Sequence, residues 1–286
     1  MEVSDMKALT DFVRAVGCVL LLLGGPDAAF GQASGAASAA DPLGRARQLY
    51  NSGQYDDAIA AAQEATARPG TQSEANLLLG RALLERHRAS RTAEDLSAAR
   101  DALRAVDAGK LSDRGRLDLV VGLGEALYLD GQYRSAAGLL EPALEQMGLL
   151  PAAAREQVVD WWATAMDRYA QTRPPEERTE VYTALSDRMR VHLGRYADSS
   201  AASYWLPAAA LARGDLDLAW DLALAGWVRS ILSPDKGATL RADLDRLVTQ
   251  ALIPERVKRL PDEPDAADAA SRFAAEWDEA KSRWKK

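Results

Sequence analysis

The chain has 286 residues, of which 48% are hydrophobic and 27% charged, with a formal net charge of −7. That is apolar material enough for one extended helical domain, and the acidic balance gives no support for nucleic-acid binding, which needs a basic face. Cys18 is the only cysteine, so disulfides, thiolate catalysis and cysteine-based metal sites are excluded from everything that follows it.

Residues 15–25 form an apolar run of 11, against the ~20 that a spanning helix requires. Lys7 and Arg14 precede the run, and small residues follow it through Gly31-Gln32-Ala33. This is the pattern of a secretory signal peptide over residues 1–33, cut near Ala33; an uncleaved amphipathic anchor is the competing reading. Met6-Lys7 makes a more ordinary start than the acidic stretch before it. Ala15-Val16-Gly17 is a poor lipid-attachment sequence ahead of Cys18. The expected location is therefore outside the cytoplasm, in the periplasm of a Gram-negative bacterium, with membrane contact only through this segment during export.

Residues 34–41 are small and polar, a short linker. Helices are then expected over 42–52 and 55–67, closed by Pro69-Gly70, and over 73–86 with Ser73 as cap. Arg86-His87-Arg88-Ala89-Ser90-Arg91 reads as a basic loop. Leu96, Ala99, Leu103 and Val106 recur at helical spacing. Residues 107–115 connect to two helices within 117–147. Pro151 opens a longer helix through Trp161, Trp162 and Tyr169, which Pro174-Pro175 breaks. Its partner covers 176–193. Pro207 should kink or shorten the helix after Ser199-Ser200. Another carries Ala219, Trp220, Ala223 and Trp227, and a further one spans 236–252, broken by Ile253-Pro254. Residues 261–264 form a Pro-rich linker. The last helix, 265–284, is amphipathic through Ala270, Phe273, Trp277, Ala280 and Trp284; it either caps the domain or docks a partner helix.

One stretch is written more than once. Leu49-Tyr50-Asn51-Ser52-Gly53-Gln54-Tyr55-Asp56-Asp57-Ala58 returns 78 residues later as Leu127-Tyr128-Leu129-Asp130-Gly131-Gln132-Tyr133-Arg134-Ser135-Ala136. A weaker copy is Leu211-Ala212-Arg213-Gly214-Asp215-Leu216-Asp217-Leu218-Ala219. Recurrence in register marks a repeat architecture. Gly53 and Gly131 fall where one helix must stop in the left-handed cap conformation. Small residues sit seven positions earlier, at Ala46 and Gly124, and Gly80 fills the same slot in Leu79-Gly80-Arg81-Ala82-Leu83. Ala58 and Ala136 let the second helix approach the first.

This pattern resembles the tetratricopeptide repeat family, whose ~34-residue unit has Leu-Gly in its first helix, Gly-x-Tyr at the turn and small residues in its second. Leu123-Gly124, Leu127, Gly131, Tyr133, Ala136, Leu140 and Ala143 match one full unit. Gly53, Tyr55, Ala58, Ala65 and Pro69 match another that lacks Leu-Gly. The resemblance implies an all-α fold, an α-solenoid of antiparallel helix pairs over 42–260. It further implies a concave groove lined by the first helix of each pair. Carried over by register, the groove residues are Arg47, Tyr50 and Asn51, then Glu74, Arg81 and Glu85, then Asp118, Glu125 and Tyr128. Each singly is equally consistent with ordinary solvated surface. The Lys/Asn set with which some members hold a C-terminal carboxylate is not at these slots.

No chemistry stands out beside this. The sequence has no His-Glu-x-x-His, P-loop or Gly-x-Ser-x-Gly, and His87 and His192 lie far apart. Asp215, Asp217 and Asp221 lack the loop ligands and Glu of a calcium site and read as a solvated face. The expectation is an exported scaffold, without catalysis, cofactor or metal, that binds a protein or peptide partner in an envelope assembly. The alternative is an enzymatic or accessory module acting on envelope polymers, with Trp161, Trp162 and Trp205 stacking on sugars.

Overall fold

A computed structural model describes residues 41–260 and 266–284. The expected signal segment, Cys18 and the 261–264 linker lie outside the described residues. Among the described residues every regular element is helical and there is no strand. They fall into two compact units, 41–165 and 166–284.

The first unit contains α1 (Pro42–Asn51), α2 (Tyr55–Thr66), α3 (Gln72–Ser90), α4 (Ala93–Arg104), α5 (Asp113–Leu129), α6 (Tyr133–Leu140) and the greater part of α7 (Ala152–Gln171). Tight 3-10 segments fill Ala108–Lys110 and Glu141–Leu149. From α1 to α6 each helix packs on the next, and α1 also meets α3, as α3 meets α5. Local chemistry fixes the starts. Pro42 occupies the first turn, where its missing N–H costs nothing, and Asp41 Oδ1 accepts from Leu43 N at 3.1 Å. Ser112 Oγ accepts from Gly115 N at 3.1 Å.

The written repeat is a repeat of backbone. At the first copy Ser52, Gly53, Gln54 and Ala58 N–H donate to Gln48, Tyr50, Leu49 and Gln54 C=O at 3.1, 3.0, 2.9 and 2.9 Å. At the second, Asp130, Gly131, Gln132 and Ala136 donate to Ala126, Tyr128, Leu127 and Gln132 at the same four distances. Gly53 and Gly131 both have φ +75°. Tyr50–Tyr55 and Tyr128–Tyr133 stack edge to face with centroids 5.7 Å apart and planes at 62° in both copies. The weaker copy makes the same four bonds at Arg213, Gly214, Asp215 and Ala219, with Gly214 at φ +79°.

Small residues then set the helix spacing. A Cβ on Gly80 would lie 2.6 Å from the Leu103 side chain, and one on Gly124 2.5 Å from Leu140. Leu103 and Leu140, fully buried on the neighbouring helices, occupy the space that those side chains lack. Ala46, Ala58 and Ala136 have no exposed surface.

The stretch 86–91 is not a loop. α3 runs on to Ser90 and stops at Arg91, whose φ of +59° is the left-handed cap. The segment has no Gly or Pro, and Arg86 and Arg88 are neutralised in place. Arg86 grips Asp95 through Nε and Nη2 at 2.9 and 2.6 Å and reaches Asp56 at 2.8 Å. Buried His87 donates from Nδ1 to the Thr92 carbonyl at 2.7 Å.

The second unit contains α8 (Pro175–Arg195), α9 (Ser200–Ala212), α10 (Leu216–Arg229), α11 (Ala238–Leu247), α12 (Ile253–Lys258) and α13 (Ala266–Ser282). Pro207 does not end α9, whose 13 residues run on past it to Ala212. Pro207 has no N–H for the Ser203 carbonyl, and Gly226 of α10 passes there; a Cβ on it would come within 3.0 Å of that oxygen. Ile253-Pro254 does not break the chain either. A π turn over Val248–Leu252 joins α11 directly to α12, with Pro254 in the new first turn. The wider turn takes up the hydrogen-bond register that a proline would disrupt.

Packing in this unit is aromatic. Trp277 of α13 is fully buried, edge to face with Trp220 and Trp227 at 5.7 and 5.6 Å. Its Nε1 donates to Asp245 at 2.9 Å, and Lys281 bonds the same carboxylate. The Arg256 guanidinium lies between the Trp220 and Phe273 rings, 4.7 and 4.8 Å from their centroids. The apolar stripe of α13 is not uniformly covered, since Trp284 stays half exposed.

Candidate functional site

The α1–α3–α5 layer brings most of the register-derived residues together. Arg47 of α1 is ion-paired with Glu74 of α3, and both remain about half exposed. Two turns on along α3, Arg81 lies over the Tyr50 ring, 5.0 Å from its centroid, and reaches Asp118 of α5 at 3.6 Å. Arg114 also bonds Asp118 at 3.1 Å. Two further turns along α3, Arg88 joins Glu85 at 2.9 Å and Glu125 of α5 at 3.3 Å. Arg88 also sits over the Trp161 ring at 5.3 Å. Asn51 is exposed at the end of α1. Tyr128 stacks edge to face on Tyr133.

Burial grades along this line. The Arg47–Glu74 pair is wet, Arg81 and Asp118 are mostly covered, and the Glu125 side chain is only 8% exposed. Tyr50 is buried, so it shapes the face from beneath Arg81. Burial raises the Tyr50 phenol to about 12 against the pull of Arg81. Burial likewise pushes the Glu125 carboxyl up to about 7, with Glu85 adding to the effect and Arg88 and Arg81 opposing it. Burial disfavours the Arg81 charge, yet Tyr50, Asp118, Glu125 and Glu85 outweigh it and hold the guanidinium above its ordinary range. Chemically the line is a self-compensated ionic seam, open at the Arg47 end and closed at Glu125. It offers paired charges and amide or carbonyl partners rather than a nucleophile.

Sequence reasoning missed Arg88, Arg114 and Trp161 in this seam. Arg88 was hidden by the loop reading of 86–91. Its spacing of seven from Arg81 and three from Glu85 places all three on one helical face, which is the signal that finds it.

The aromatic trio proposed for sugar stacking is not an exposed platform. Trp162 and Trp205 are 1% and 5% exposed, inside the helix packing, and Trp161 is half-buried under Arg88. The three acidic residues near 217 are all exposed, as a solvated face requires, and two of them have defined partners. Asp215 Oδ1 caps α10 by accepting from Leu218 N, and Asp217 bonds Arg256 at 3.2 Å. Asp215 and Asp217 line a shallow cleft of about 320 Å³ with Arg256, Arg259 and Phe273, two carboxylates against two guanidiniums. No family model matches the chain, and neither a curated protein nor a solved structure matches it.

Proposed function

We propose that the chain is an exported, non-catalytic scaffold of tetratricopeptide-like helix pairs. Its α1–α3–α5 face docks a protein or peptide partner in an envelope assembly. What carries the reading is the recurrence of one turn, bond for bond, at Gly53 and Gly131, combined with serial packing of α1, α3 and α5. Together these favour a solenoid in which first helices line one side. The polar seam on that side suits an extended peptide, because Asn51, Arg47 and Glu74 are open to solvent and can meet main-chain amides and side-chain charges. The 15–25 run with its basic flank supports export, and the mature protein recovered from an envelope fraction should begin near Ser34.

Affinity capture from an envelope extract with the mature chain as bait tests the reading. A defined partner should be retained by the wild type, lost with Asn51→Trp or Arg47→Glu, and unaffected by Asp57→Lys on α2, an exposed position of the neighbouring helix. Equal retention by all four baits would exclude the face.

A further inference from the structure

Between α10 and α11 the chain makes a tight excursion. The 3-10 turn Ser230–Leu232 presents Ile231 and Leu232 with 53% and 56% of their surface exposed, the highest values among the large hydrophobic side chains described. An isolated exposed aliphatic needs no explanation, but these two are adjacent on a turn that cannot fold them away. Ser230 Oγ donates to the Trp227 carbonyl at 2.7 Å and accepts from Arg241 Nε at 2.8 Å. Ser233 Oγ lies 2.6 Å from the Ser230 carbonyl. The Asp235 carboxylate accepts from Gly237 N and Thr239 N at 2.9 and 2.8 Å. Lys236 is held at φ +54°, one of two non-glycine residues with positive φ among those described.

The charge around the pair is opposite in sign to that of the chain. Segment 229–241 carries Arg229, Lys236 and Arg241 against the one carboxylate of Asp235, in a protein of net charge −7. Neither Arg229 nor Lys236 has an ion-pair partner among the described residues. Two aliphatic side chains beside unpaired cations match a surface that is apolar below and anionic above. A second copy fits less well, since an isologous contact at this turn would bring its cations face to face.

We propose that this turn is a membrane-contacting tip, in which Ile231 and Leu232 enter the interfacial zone of a bilayer while Arg229 and Lys236 meet anionic lipid headgroups. Two aliphatic side chains and two charges give reversible, salt-sensitive attachment. The proposal does not depend on the α1–α3–α5 face.

The test uses the full chain carrying Cys18→Ser and Ile231→Cys, labelled at the new thiol with an environment-sensitive fluorophore. The label reports this turn and not the apolar run 15–25, which could itself partition. On vesicles of phosphatidylcholine with a minority of phosphatidylglycerol, emission should shift to the blue and intensify. The response should be weak on phosphatidylcholine alone and fall as salt rises. Adding Arg229→Gln and Lys236→Gln should weaken apparent vesicle affinity by roughly tenfold or more. The unlabelled Ile231→Ser/Leu232→Ser variant should keep the wild-type melting temperature, because both side chains are already exposed. A label that stays silent while the chain sediments with anionic vesicles overturns the proposal. So does a blue shift that needs no vesicles and grows with protein concentration, which would assign the turn to a second copy.

Discussion

The two units share a turn and differ in what fills the angle it creates. In the first, small residues set the spacing of the helix pairs: Gly124 in the pair closed at Gly131 and Gly80 in the pair closed at Arg91 each leave a space filled by a leucine from the neighbouring helix, and Ala46 takes that slot in the pair closed at Gly53. In the second, Gly214 closes the same hydrogen-bonded turn, but the space beyond is occupied by Trp220, Trp227 and Trp277 with Arg256 and Lys281 against their rings. The backbone motif is thus separable from the packing motif. A turn of this kind dictates only that two helices return on each other; small residues or large aromatics decide how far apart they settle.

The largest expected effect lies on the aromatic side. Trp277→Ala removes a wholly buried side chain held by two rings and by Asp245, and leaves Asp245 short of a donor. The expected cost is about 3–5 kcal/mol, read as a fall in the denaturation midpoint. A loss below about 1 kcal/mol would mean that α13 contributes little to the second unit.

On the glycine side the next effect is electrostatic. The native Glu125 carboxyl, raised to about 7 from an ordinary 4.5, keeps a proton that the unfolded chain has already released. Stability therefore falls as pH rises through that window, and the full penalty is present above it. The decline should be on the order of 2–3 kcal/mol. Glu125→Gln should flatten it, so that wild type and variant differ more at pH 8 than at pH 5. Parallel profiles would locate the pH dependence elsewhere.

Third comes the spacing itself. Gly124→Ala drives a methyl to within 2.5 Å of Leu140, and Ala136→Leu overfills the same α5–α6 contact from the other side. Each should cost about 1–3 kcal/mol. If either is neutral, that pair is looser than its geometry indicates.

The same contrast explains what was legible beforehand. The small-residue unit announces itself, because Gly-x-Tyr at fixed register with a small residue seven earlier encodes both the turn and the approach. Arg81, Glu85, Asp118 and Glu125 were singled out from that register, and they meet in one seam. The aromatic unit repeats nothing but the turn. That Trp277 is buried while Trp284 is exposed depends on partners far apart in sequence. Two breaks were misplaced for local reasons. Arg86 to Arg91 looked like a charged loop because its neutralising partners, Asp56, Asp95 and Glu125, lie on other helices. Pro254 looked like a stop because a π turn leaves no composition signature.

The smallest effect isolates the turn from the packing, and it compares two glycines seven residues apart. Gly138 is inside α6 with ordinary helical φ, and a Cβ there would meet nothing within 4 Å. Gly131 is equally uncrowded, but its φ is +75°. Space alone predicts that alanine is harmless at both. Backbone preference predicts opposite signs. At Gly138, alanine lowers the entropy of the unfolded chain and improves helix propensity, so Gly138→Ala should stabilise by about 0.5–1 kcal/mol. At Gly131, alanine must be held in the left-handed region, so Gly131→Ala should destabilise by about 1 kcal/mol. The gap between the two midpoints is the measurement, since both substitutions add one methyl to the same helix pair. Midpoints that move together would mean that the left-handed cap is not what sets this turn. The bond-for-bond match between Gly53 and Gly131 would then follow from the Tyr50–Tyr55 and Tyr128–Tyr133 packing instead.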